Sequence, residues 1–156
     1  IINVLGDEPF VSSSMISLVL NTLAKLSSES SHFPIIVIPH QLVGKDEAYR
    51  ESTVKIVANS EDRVLYMSRH PIPYLHLNTS KLKDNIFKKH LSVIGFTRQA
   101  LVEYSKISKS YIESFEDIEL LRVLETNILI SSPYSSTSSF SIDTIDDFAK
   151  ISKKII

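Results

Sequence analysis

The run Ile1-Ile2-Asn3-Val4-Leu5 constrains this chain more than any other segment. It is apolar, too short for a helix, and ends at a glycine, which predicts a strand buried on both faces of the kind found inside a parallel sheet. A helical repeat follows almost at once. Met15, Ile16, Val19, Leu20, Leu23 and Leu26 predict a helix from about 13 to 28, with Ser12 to Ser14 as candidate N-caps. The same alternation continues along the chain. Short strands are expected at 34–38, 91–96 and 127–130, and helices at about 98–106 and 114–125. Thr144 can cap a last helix carrying Ile145, Phe148, Ile151 and Ile155. Residues 54–58 and 63–67 read as two strands joined by the polar Asn59-Ser60-Glu61-Asp62, an antiparallel hairpin. Residues 76–87 and the Ser-rich 131–139 read as loops. Alternating strands and helices give an α/β layer fold, and the hairpin makes its sheet mixed.

Composition narrows the function. With 156 residues, 43% of them hydrophobic, the chain can bury one core, so a single domain over 1–156 is expected. A formal net charge of -1 gives nucleic acid no basic footprint. The absence of cysteine removes disulfides, thiolate metal sites and a cysteine nucleophile. No apolar run reaches the roughly 18 residues of a membrane span, and no secretory signal is visible, so a cytoplasmic protein is the default. Gly6, Gly44 and Gly95 are the only glycines, too few for a Gly-rich phosphate loop. The chain also opens inside a strand pattern without an initiator methionine, which suggests a fragment.

Asp7 and Glu8 follow the end of the first strand, where open α/β sheets hold their ligands. A carboxylate there can bind a hard divalent cation; equally, Gly6-Asp7-Glu8-Pro9 can be a plain turn. Asp143 has the same ambiguity between a metal ligand and an N-cap. Arg69, beside His70, offers a fork suited to carboxylate or phosphate, or else decorates a strand edge. His90 could donate to a ligand or be structural. Glu113, Glu116, Asp117 and Glu119 open a predicted helix, where acids suit the macrodipole, and Arg122 stands three residues after Glu119 as its simple partner. No Ser/His/Asp triad and no HExxH motif is present.

The order of these segments resembles the 3-deoxy-manno-octulosonate (KDO) cytidylyltransferases, or CMP-KDO synthetases. Asn3-Val4-Leu5-Gly6-Asp7-Glu8-Pro9 resembles that family's strand-turn metal motif. Val54-Lys55-Ile56-Val57 followed by Ser68-Arg69-His70-Pro71-Ile72-Pro73-Tyr74 resembles its hairpin and Ser-Arg-x-Pro-Ile-Pro motif. Lys89-His90-Leu91, the acidic stretch from Glu113 to Glu125, and Ser141-Ile142-Asp143-Thr144 complete five segments in the family's order.

The resemblance implies a Rossmann-like sheet of the nucleotide-diphospho-sugar transferase type, N-terminally incomplete. It implies transfer of CMP from CTP to the anomeric hydroxyl of KDO with release of pyrophosphate, serving lipopolysaccharide or related polysaccharide synthesis. It also implies a homodimer with its interface near the hairpin and the 68–74 segment. By the same resemblance Asp7 and Asp143 would be catalytic as ligands of Mg2+, Arg69 and His90 would hold the sugar acid, and Glu116 and Glu119 would lie near its hydroxyls. Some positions depart from the pattern. Leu5 and Leu120 stand where the family usually has Gln, Ser92 where it has Gly and Ile145 where it has Pro. The family's Leu-Pro-Gly-Lys-Pro loop is not in this sequence, so the chain alone is expected to lack a complete CTP site and to be inactive by itself. The two leucines leave two other readings open: a cytidylyltransferase for another acidic sugar of the sialic type, or a degenerate non-catalytic domain for binding or dimerisation.

Overall fold

The computed structural model of the chain describes residues 1–29, 33–76 and 85–137, and beyond them Ile142, Ile145, Phe148, Ala149 and Ser152. In order the elements are β1 (Ile2–Val4), α1 (Ser13–Glu29), β2 (Ile35–Val37), β3 (His40–Val43), α2 (Lys45–Ala48), β4 (Lys55–Ala58), β5 (Val64–Ser68), β6 (Phe87–His90), β7 (Val93–Phe96), α3 (Arg98–Tyr104), α4 (Tyr111–Glu116), α5 (Leu121–Leu124) and β8 (Leu129–Ser131). One four-stranded sheet has the order β1-β7-β2-β8, and a second has the order β3-β6-β4-β5. The first is mixed, with β2 and β8 parallel and its other pairs antiparallel; the second is antiparallel throughout. The α/β class agrees with the alternation of the sequence, and one sheet is mixed as expected, but through the parallel β2–β8 pair: the β4–β5 hairpin, expected to make it so, lies in the other sheet.

The predicted helix over 13–28 forms as α1. The Ser12 hydroxyl accepts the Met15 N–H at 3.2 Å and so satisfies one orphan donor of the first turn. Met15, Val19 and Leu23, spaced four apart, are buried against Ile35, Val37 and Val93 of β2 and β7. The helix approaches β7 closely at Gly95, where a Cβ would lie 2.3 Å from Val19 Cγ1. Leu20, on the opposite face, is about half exposed.

Three expectations need correction. First, β1 is not inside a parallel sheet. It is an edge strand, antiparallel to β7 in the register Ile2↔Gly95, and only Ile2 is partly buried. An apolar run of five residues signals a strand but does not report its neighbours. Second, the helix expected over 114–125 is two helices. A capping box of Ser110 and Glu113 starts α4, and Asp117 ends it in the left-handed region at φ 51, ψ 47. Asp tolerates that conformation better than most residues, and the chain turns before α5. Third, β3 and β6 were not read from the sequence. Pro39 lacks the N–H needed to continue β2, so the chain shifts to the second sheet at His40. The strand expected over 91–96 forms as β7 but starts only at Val93: β6 ends just before it at His90, and Leu91 between them donates its N–H to the Pro39 carbonyl at 3.0 Å.

The largest apolar cluster lies between β2, β4, β5, β7 and the helices α3 and α5. At the chain's far end Ile145, Phe148, Ala149 and Ser152 are helical, as expected, while Asp143, Thr144, Ile151 and Ile155 lie outside the described residues. No helix among the described residues is long and apolar enough to cross a membrane.

Candidate active site

A cavity of about 600 Å³ opens where the end of β1, the end of β6, the strand β7, the helix α3 and the α4–α5 turn converge. Ile94 and Phe96 of β7, Leu101 of α3 and Ile118 make much of it apolar. Leu5 and Leu120, the two positions where the family pattern usually has Gln, both line it. Its polar lining includes His90, Tyr104 and Glu119. The break at Asp117 is what delivers residues 118–120 to this space, because a continued helix would carry them past it.

His90 ends β6 at the cavity wall. Burial, and then the neighbouring Lys89 ammonium, push its imidazole down to about 4. At neutral pH it is therefore an uncharged ring, able to donate or accept a hydrogen bond but not to act as a cation. Its cross-strand partner is His40, which is buried and donates Nδ1–H to the Ser132 carbonyl at 2.8 Å. Burial, and then Lys88, hold that imidazole below its usual value as well. A base with a depressed folded value contributes stability above its unfolded value of 6.5 and loses it as pH falls toward the folded one. Between pH 6.5 and about 4 His90 should thus add a slope approaching roughly 1.4 kcal/mol per pH unit to the unfolding free energy, and His40 a slope of the same sign. Urea titrations at pH 7, 6 and 5 check this: stability should fall across the series, and fall less in a His40→Phe variant.

Tyr104, the last residue of α3, donates its hydroxyl to Glu119 Oε2 at 3.0 Å. Burial, and then that hydrogen bond, push the phenol up to about 12, so it keeps its proton. The Arg122 guanidinium lies 5.7 Å from the centre of the Tyr104 ring. Arg122 does not pair with Glu119 at three-residue spacing. Because α4 and α5 are separate helices, it reaches back to Glu113, with Nε 2.7 Å from Oε2 and Nη2 bonded to Oε1.

The other proposed sugar ligands form a second cluster. Glu116 accepts the Ser68 hydroxyl at 2.7 Å and the Arg69 backbone N–H at 2.9 Å. The Arg69 side chain donates to the main-chain carbonyls of Glu116, Glu51 and Asp117 at 2.8, 3.0 and 3.0 Å. Neither residue lines the cavity. Beside them Lys55 is wholly buried, and its ammonium donates to the carbonyls of Arg50, Thr53 and Arg69. Burial, and then Arg69, push it down to about 8. Lys55, Tyr104 and the Glu113–Arg122 pair were not found by sequence reasoning. A lysine between Val54 and Ile56 in a predicted strand was the one available signal for any of them.

Asp7 stands two residues beyond Leu5, in a turn closed by Glu8 N–H on the Leu5 carbonyl at 3.2 Å. Its Oδ1 is buried with no hydrogen-bond partner among the described residues, and the bond that closes the turn runs from main chain to main chain. Its main-chain carbonyl accepts the N–H of Ile142 at 2.9 Å, which joins the first motif to the residue before Asp143. Asp143 itself lies outside the described residues. Among the described residues no three His, Cys, Asp or Glu side chains gather as a metal cage. Magnesium does not need one, since it is commonly held by one or two carboxylates with waters and substrate phosphates. An orphaned buried carboxylate oxygen fits that coordination.

A profile of the family described as Cytidylyltransferase matches residues 1–130. The 3-deoxy-manno-octulosonate cytidylyltransferase of Fusobacterium nucleatum is 32% identical over 97% of this chain and 58% of its own length. The enzyme of that name from Christiangramia forsetii is 29% identical over 98% of the chain and 60% of its own length. A solved structure of CMP:2-keto-3-deoxy-manno-octonic acid synthetase complexed with CTP superposes with a TM-score of 0.82 at 28% identity, covering 99% of this chain and 60% of that one. The chain therefore spans about three fifths of the length of these relatives, and the Rossmann-like transferase architecture expected from the motifs is the one it shares with the solved structure.

Proposed function

The chain belongs to the cytidylyltransferase family, and from that premise we propose that the polypeptide carrying it transfers CMP from CTP to 3-deoxy-manno-octulosonate. The observation that carries the proposal is the cavity. It gathers Leu5, His90 and Glu119 from segments far apart in sequence, two residues away from the orphaned carboxylate of Asp7. In this reading the cavity holds the sugar acid. Neutral His90 hydrogen-bonds it, the Glu119 carboxylate accepts from a hydroxyl, and the apolar wall of Ile94, Phe96 and Leu101 keeps water from competing. The protein provides no nucleophile. The anomeric oxygen of the sugar forms the new bond to the α-phosphorus of CTP, the bond to pyrophosphate breaks, and the hydroxyl proton passes to solvent water. Asp7, with Asp143, would hold Mg2+. When bound, that ion supplies charge neutralisation on the phosphate oxygens and a template for the two substrates. Arg69 and Glu116 would support the site from behind, through the turn after β5, in place of direct contact with the sugar.

The reading extends to a cytoplasmic homodimer, with the exposed Leu65 and Tyr74 near its interface. The deciding experiment incubates the polypeptide that carries this chain with CTP, Mg2+ and KDO, and follows pyrophosphate and CMP-sugar together. Both should appear in equal amounts and vanish with a chelator, and sedimentation of the same sample should give twice the monomer mass. Transfer to sialic-type acids but not to KDO would overturn the proposed acceptor. No CMP-sugar from any acidic sugar would overturn the enzyme itself.

A further inference from the structure

We infer that Tyr104 is a specificity-determining positioning residue: it fixes the Glu119 carboxylate on the cavity wall so that one oxygen stays directed at a hydroxyl of the acceptor sugar. The inference rests on reading the cavity as the acceptor site. A polyol placed against Leu5, Ile94, Phe96, Leu101 and Leu120 finds few polar partners, so those present decide its orientation. An unrestrained Glu side chain loses rotamer freedom when ordered by a ligand. Here the ordering is already in place. The Tyr104 hydroxyl occupies Glu119 Oε2, and Oε1 has no hydrogen bond among the described residues. Pre-ordering of this kind improves binding without adding a contact.

Tyr104 is itself held on both sides. Its ring lies 5.9 Å from that of Phe96, on the strand below, and the Arg122 guanidinium stands over it. Arg122 cannot drift, because Glu113 grips it with both carboxylate oxygens, and the same Glu113 side chain closes the capping box by accepting the Ser110 N–H at 3.3 Å. The fixed geometry therefore runs from the start of α4 through Glu113, Arg122 and Tyr104 to Glu119. The phenol, pushed up to about 12, remains a donor throughout the working pH range.

Tyr104→Phe removes only the hydroxyl and keeps the ring contacts with Phe96 and Arg122. In the polypeptide that carries this chain we expect the acceptor KM, and the acceptor Kd by calorimetry, to rise about tenfold, the effect of one hydrogen bond to a charged group. The KM for CTP and the melting midpoint should hold. A Glu119→Ala background separates positioning from general structure: there Tyr104→Phe should change acceptor affinity by less than about twofold, because its target is gone. Equal acceptor affinity in the unmodified protein and Tyr104→Phe overturns the inference alone, and so does a tenfold effect that persists in the Glu119→Ala background. Failure of the unmodified protein to bind any acidic sugar overturns the acceptor reading and this inference with it.

Discussion

Replacing Arg122 with Met is expected to lower the unfolding free energy by about 3–5 kcal/mol at pH 7, the range seen when one partner of a buried ion pair is removed. The Glu113 side chain is only 4% exposed, and Arg122 grips both of its oxygens. Without the guanidinium the carboxylate is left charged in a site that cannot solvate it. The loss should depend on pH in a stated direction. The Arg122 hydrogen bond is the main cause that holds the Glu113 carboxyl below the usual range, and burial opposes it. A depressed carboxylate contributes stability above its unfolded value, near 4.5, and loses it as pH falls through the folded value. The difference between the unmodified chain and Arg122→Met should therefore narrow below pH 4.5. The double variant Glu113→Gln/Arg122→Met is the informative control. Gln at position 113 can still close the capping box, and no buried charge remains, so the double variant should be more stable than Arg122→Met alone. Urea titrations of both variants at pH 7 and pH 4 measure all of this. A double variant no more stable than the single one would count against an uncompensated charge as the cause.

How far the sequence carried the fold depended on how local each cause is. The α1 stripe and the β4–β5 hairpin follow from periodicity and turn residues within one segment, and they formed where expected. The neighbours of β1 do not follow from its own five residues, and neither does the split of the predicted 114–125 helix. The split needs Asp117 in the left-handed region and a capping box ten residues before the expected middle of that helix. β6 was hidden because Lys88 and Lys89 separate Phe87 from Leu91, so a half-buried strand carrying two cations reads as loop. The site divides in the same way. Short motifs in a fixed order nominated Asp7, His90 and Glu119 as candidates. They could not reveal that Tyr104 would hold Glu119, that Arg122 would choose Glu113, or that Arg69 would turn its donors to carbonyls. Those choices are made by side chains brought together only after the helices and sheets have packed.

The second large effect concerns Asp7, where function and stability should move independently. Asp7→Ala is expected to lower metal-dependent CMP transfer by about 100- to 10,000-fold, since a bound ion contributes several kcal/mol of charge stabilisation to such a reaction. The same change should leave the unfolding free energy level or slightly raised. Oδ1 is buried without a partner among the described residues, and a buried polar atom that makes no hydrogen bond is unfavourable to folding. A turn residue would behave in the opposite way. If Asp7 stabilised the Gly6–Glu8 turn, Asp7→Ala would lose stability and leave the response to magnesium intact. The turn's own hydrogen bond, however, runs from the Glu8 N–H to the Leu5 carbonyl, and the link to Ile142 uses the Asp7 main chain; Ala preserves both. The readout need not depend on turnover. A ligand that binds only the folded state raises the melting midpoint with its concentration. In the presence of CTP the unmodified polypeptide should melt higher as magnesium is added, and Asp7→Ala should respond far less over the same concentrations. Equal upward shifts in the two proteins would show that Asp7 is not a ligand and that its orphaned oxygen has another purpose.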